Sequence, residues 1–152
     1  MIQRIQSVYL LLSAICAIVC ACLPIATIEP SGMGVDTVMY NLAMYNQSTP
    51  GADYTVCGLF VLLIVVAATS VINIFRYNTR MRQSRHCLVT MMLLLAWVGL
   101  FAVLSNKYAG EGDTLHVAFA SCLPLIALIF QWLARRGILH DEKLVKAADR
   151  IR

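Results

Sequence analysis

Four stretches of this chain carry no charged residue and reach membrane length: Ile5–Ile28, Tyr54–Phe75, Cys87–Asn106 and Leu115–Ala134, of 24, 22, 20 and 20 residues. A helix rises about 1.5 Å per residue, so about 20 apolar residues cross a hydrocarbon layer of roughly 30 Å. Membrane-spanning strands would read instead as alternating segments of about 10 residues. The runs predict an all-α membrane protein: four transmembrane helices over residues 6–28, 54–75, 87–105 and 115–134, forming one up-down bundle from 1 to 152. Composition agrees, with 13% charged residues and a mean hydropathy of +0.75, where a soluble domain carries about 25% charged.

Charge placement predicts orientation. Arg4 precedes the first run, Arg76, Arg80, Arg82 and Arg85 lie between the second and third, and Arg135, Arg136, Lys143, Lys146, Arg150 and Arg152 follow the fourth. If the helices alternate, these basic residues share one side, and Lys107 faces the other with Glu29, Asp36, Asp53, Glu111 and Asp113. Positive flanks stay in the cytoplasm, so both termini are expected there, in a bacterial inner membrane. The net charge of +4 then reads as a topology signal and leaves no nucleic-acid partner to explain. The arginines of the Arg76–His86 turn could also meet anionic lipid or an acidic partner. A cleaved lipoprotein signal at Val19–Cys22 (VCAC) is the rival reading of the first run. Apolar sequence continues through Leu23–Ile28, beyond the 7–15 residues of a signal core, so a retained helix is expected.

Within the spans, Pro24 should bend helix one and free the carbonyl of Cys20, four residues back, and Pro124 falls near the middle of helix four. Ser13, Ala17 and Ala21, and likewise Ala96, Gly99 and Ala102, form small-residue stripes that predict helix-packing faces, with a homo-oligomer seam as the alternative. Asn73 is expected to bond a neighbouring helix or reach headgroups, Trp97 to fill the bundle or meet lipid, and Gln131 and Trp132 to sit at the inner interface. The outer loop 29–53 has turn signals in SGMG and STPG. Between them VDTVMYNLAMY is compatible with a hairpin or a surface helix. Tyr40, Tyr45 and Tyr54 suit the headgroup region. This loop has the residues for a recognition surface outside the membrane.

The tail DEKLVKAADRIR predicts a separate amphipathic helix, with Gly137 turning the chain out of helix four and Asp141 as N-cap. Leu144, Val145, Ala148 and Ile151 form its apolar stripe, directed at the cytoplasmic membrane surface, a partner protein or the Arg76–His86 turn.

Six cysteines include no CxxC pair. Cys-Leu-Pro occurs twice, at Cys22–Pro24 and Cys122–Pro124. Cys22, Cys57, Cys122 and His116 therefore fall near the outer helix ends. These are candidates for a soft metal or redox site, unless they lie on separate faces. His86, His116 and His140 are poorly placed for paired haem ligation. No span holds a charged station for ion-coupled transport, and no nucleotide motif or nucleophile–base pair appears. No catalytic residue and no cofactor are expected.

The opening MIQRIQSVYLLL and the closing DEKLVKAADRIR resemble, over the whole chain, a family of small four-span bacterial inner-membrane proteins classed as a domain of unknown function. The resemblance implies the four-span architecture and supplies no catalytic or ligand residues. It marks Gln3, Arg4, Gln6 and Asp141–Arg152 as characteristic, with Arg4 or Gln3 expected to meet the tail acids in one cytoplasmic surface. The resulting expectation is a non-enzymatic scaffold, assembly factor or subunit with the bilayer, a membrane protein or a second copy as partner. A small channel or carrier for an uncharged solute, and a thiol- or metal-dependent protein, are the alternatives.

Overall fold

The computed structural model describes residues 3–32, 34–46, 51–75, 80–110 and 112–149. Four helices, α1 (Gln3–Cys22), α2 (Cys57–Phe75), α3 (Arg80–Tyr108) and α4 (Leu123–Asp149), are long and apolar enough to cross a membrane. α1 packs on α2 and α4, and α3 packs on the same two. Of their most apolar segments only 39, 33, 22 and 28% is buried inside the protein. The remainder presents residues such as Val61, Ile72, Met92 and Val103 to the surroundings. Apolar surface on that scale is stable in lipid and a liability in water.

The all-α expectation needs correction, because the chain also folds a five-stranded sheet. β1 (Pro24–Glu29), β2 (Thr37–Tyr40), β3 (Met44–Asn46), β4 (Ala52–Asp53) and β5 (Thr114–Val117) lie in the order β4-β3-β2-β1-β5, every pair antiparallel. α1 stops at Cys22, six residues short of Ile28. The residue before a proline is pushed out of the α region. Leu23 accordingly closes the last turn, its amide 3.2 Å from the carbonyl of Val19. Pro24 is then the first residue of a strand, a position that tolerates its missing N–H. The β-branched Ile25, Thr27 and Ile28 continue that strand. The middle of the loop 29–53 resolves to a hairpin of β2 and β3, closed by the Tyr40 amide on the Ala43 carbonyl at 3.0 Å. Residues 48–50 of the STPG turn lie outside the described residues.

The fourth span is corrected at both ends. Leu115–Val117 form β5, so α4 begins at Leu123 and Pro124 is its second residue, where helix amides have no internal acceptor anyway. At the other end α4 runs unbroken through Gly137 to Asp149, and the separate tail helix does not exist. Gly137 instead makes room for α1: a Cβ there would stand 3.2 Å from Cγ of Gln6. Gln6 passes over it to donate to the carboxylate of Asp141, which is buried within the helix and caps nothing. α3 likewise extends to 29 residues, about 43 Å long, so Arg82 and Arg85 project from its first turns.

Core packing settles the two small-residue stripes differently. Ser13, Ala17 and Ala21 are buried, as expected. Ala96, Gly99 and Ala102 are exposed, and nothing lies within 4 Å of a Cβ built on Gly99. α3 turns the adjacent Leu94 and Trp97 inward instead, at 0 and 1% exposure. Polar side chains tie the helices inside. Gln131 of α4, fully buried, donates to Ser13 of α1 at 3.1 Å and to Ser70 of α2 at 2.7 Å. Asn73 bonds the neighbouring helix, donating to the Gln83 carbonyl at 3.3 Å and to Cys87 Sγ at 3.2 Å. Interhelical hydrogen bonds in lipid contribute about 0.6 kcal/mol each on average. Gln131→Leu, which loses two, is predicted to destabilise the protein by about 1 kcal/mol in a steric-trapping unfolding measurement.

Candidate recognition surface

The sheet sits where α1 and α3 end and α2 and α4 begin, and three side chains fix it there. Asn41, in the β2–β3 turn, is fully buried. Its amide nitrogen donates to the Cys20 carbonyl at 2.6 Å, and its oxygen accepts from Trp97 Nε1 at 3.0 Å. Cys20 is the residue whose carbonyl Pro24 cannot serve, so the turn of the hairpin supplies the donor that the proline removed. Ser121, in the 3₁₀ turn Phe119–Cys122 ahead of α4, donates its hydroxyl to the Ile25 carbonyl at 2.6 Å, and that carbonyl also accepts the Ala118 amide at 2.9 Å. Asp113 takes the amides of Ser31 at 3.1 Å and Gly110 at 3.0 Å, joining the β1–β2 and α3–β5 loops. Beneath the sheet, Ile25, Ile28, Met39 and Met44 share one core with Val56, Leu59 and Trp97.

The outward side of this cap is uneven. A hollow of about 490 Å³ opens between Thr37, Asn46, Asp53, Tyr108 and Asp113. A second, about 530 Å³, lies among Cys22, Val38, Leu42, Tyr40, Tyr45 and Phe60, with Tyr40 and Tyr45 edge to face at 5.6 Å. Tyr45 and Tyr54 are exposed. β5 is an edge strand, paired on one side only. Its last residue, Val117, is 57% exposed, and Phe119 in the turn that follows is 78% exposed. An unpaired strand edge beside large exposed apolar side chains is a template for strand addition.

The thiol candidates reach this end without converging. Cys22 closes α1, Cys57 opens α2 and Cys122 precedes α4, all exposed and unpaired in disulfides. His116, on β5, pairs with Glu29 of β1, Nε2 to Oε2 at 3.3 Å, across a diagonal of the ladder. Among the described residues no three His, Cys, Asp or Glu side chains gather as metal ligands would.

The basic candidates sit at the opposite end of the helices. Arg82, Arg85 and Arg136 are exposed and Arg135 is half-buried. Leu144 and Val145 are exposed on the last turns of α4. Arg76 and Ile151 lie outside the described residues, as do the side chains of Arg4, Arg80 and Ala148. Near the chain's two ends Gln6 meets Asp141, whereas the expected contact of Arg4 or Gln3 with the tail acids falls on side chains outside the described residues. Sequence reasoning missed Asn41 altogether, and its signal was faint: one asparagine between apolar residues of a loop.

Across residues 2–151 the chain matches the family described as Domain of unknown function (DUF4293), and it belongs to that family. A search of curated proteins found no match. Replacing Asn41 with alanine strands the Trp97 donor and leaves the Cys20 carbonyl with the long bond from the Leu23 amide, 3.4 Å away. A loss of about 1–3 kcal/mol is predicted, and a double-mutant cycle with Trp97→Phe in detergent unfolding should be clearly non-additive.

Proposed function

We propose that this protein is a non-enzymatic multi-pass scaffold or assembly subunit of a bacterial inner membrane, presenting its sheet cap as a recognition surface. In this reading the four helices form an up-down bundle across the bilayer. The basic ends lie in the cytoplasm, following the rule that positive flanks are retained, and the sheet faces the other compartment. The observation that carries the proposal is the open β5 edge with the exposed Val117 and Phe119 beside it. A partner segment adding to β5 would gain main-chain hydrogen bonds for affinity and these side chains for specificity. The cap is well suited to that task because Asn41 and Ser121 tie it to the helical body and Asp113 joins two of its loops, so little order is lost on binding.

A pore for a small uncharged solute is the second reading. It is favoured by two buried polar atoms that have no hydrogen-bond partner among the described residues, Asn73 Oδ1 and Gln131 Oε1, which water or a polar solute would satisfy. Flux through proteoliposomes would support it.

A photo-cross-linking residue at Val117 or Phe119, in cells, is predicted to capture one discrete protein adduct. The same residue at Val103, on the exposed face of α3, should capture none. Absence of adducts at both Val117 and Phe119 contradicts the proposal.

A further inference from the structure

The cavity at the basic end is built for a different ligand. It holds about 660 Å³ between α1 and α4, and its walls include Tyr9, Trp132, Arg135, Arg136, His140 and Lys143. Residues 132, 136, 140 and 143 follow helical spacing, so they fall on one face of α4. Three positive charges thus line one hollow, and among the described residues no acidic side chain does. The neighbouring Asp141 is buried and holds Gln6, leaving it turned to α1. Arg136 lies over the Trp132 ring at 5.6 Å. Nε of Arg135 is buried and has no hydrogen-bond partner, a donor that calls for an acceptor.

The same face continues into the apolar part of the helix. Leu125, Ile129 and Trp132, at i, i+4 and i+7, are 48, 54 and 46% exposed. An apolar strip therefore leads directly to the cationic hollow. That sequence of chemistry matches an anionic phospholipid: acyl chain along Leu125–Ile129–Trp132, phosphate among the guanidinium and ammonium groups. Arginine suits this role because its planar fork takes phosphate oxygens in pairs. Basic pockets between membrane helices are established headgroup sites in other proteins.

We infer that the Arg135–Arg136–Lys143 cavity binds the phosphate of an anionic phospholipid. Phosphate is also available in free form, and the strip beside the cavity selects the lipid source. The test uses the full chain in phosphatidylcholine vesicles containing a minority of phosphatidylglycerol, with bromine on the acyl chains of one lipid or the other. Trp132 reports, since it is exposed and Trp97 is buried, and Trp132→Phe should abolish the signal. Brominated phosphatidylglycerol is expected to quench more strongly than brominated phosphatidylcholine at equal mole fraction. Each of Arg136→Gln and Lys143→Gln should reduce the preference about fivefold, while Lys143→Arg retains it. Arg82→Gln removes the same charge from an exposed face of α3 outside the cavity and should leave the preference unchanged. Excess inorganic phosphate should also leave it intact. Equal quenching by the two lipids would overturn the inference, as would an equal loss in Arg82→Gln. Abolition by inorganic phosphate would reassign the cavity to a soluble phosphate.

Discussion

A peptide group in hydrocarbon has no water to bond, so every break in a membrane helix must be sealed from within the protein or placed where water reaches. The architecture follows from how this chain meets that constraint at Pro24. α1 stops at Cys22, the strand that follows pairs at once with β2 and β5, and the Cys20 carbonyl that Pro24 cannot serve accepts from Asn41 as well as from the Leu23 amide. At the start of α4, Ser121 and Ala118 serve the same strand through the Ile25 carbonyl. The sheet is thus tied to the helical body by hydrogen bonds at the end of α1 and at the start of α4.

Inside the helices the solution is sparse and local. Buried Gln131 links three helices through Ser13 and Ser70. Asn73, Gln83 and Cys87 join α2 to α3 where the chain turns between them, Gln83 returning a bond to the Asn73 carbonyl at 3.3 Å. Gln6 and Asp141 do the same for α1 and α4. With no hydrophobic drive between helices in lipid, such contacts and close packing of small residues set the arrangement. Gly137 shows the two working together, its missing side chain opening the path that Gln6 takes to Asp141.

Much of this was legible in the sequence, and the failures have a common cause. The four uncharged runs located four helices, because run length alone decides whether hydrocarbon can be crossed. The same runs misplaced the ends of α1 and α4, because Ile25–Ile28 and Leu115–Val117 are as apolar as the helices beside them. Hydropathy does not separate a buried strand from a helix end. Pro24 and Pro124 carried the missing information: one ends a helix and the other begins one, and placing both inside long helices hid the sheet. The apparent tail helix came from its charge pattern, which the final turns of a long helix outside lipid share. The Ala96–Gly99–Ala102 stripe was read as a packing face because small residues permit close approach, but permission is not contact. For the candidate site, the loop 29–53 was identified as the surface beyond the membrane, whereas β5 and Phe119 were hidden inside an assumed span.

The central claim is that the helices cross a bilayer with the sheet at one face and the basic ends at the other. An epitope inserted at Gly32, in the β1–β2 turn, and a second following Arg152 test it directly by antibody accessibility before and after the inner membrane of intact spheroplasts is permeabilised. The account predicts that the Gly32 epitope is accessible throughout and that the Arg152 epitope appears only after permeabilisation. Both epitopes accessible on the same side, or recovery of the protein in the soluble fraction, would contradict it.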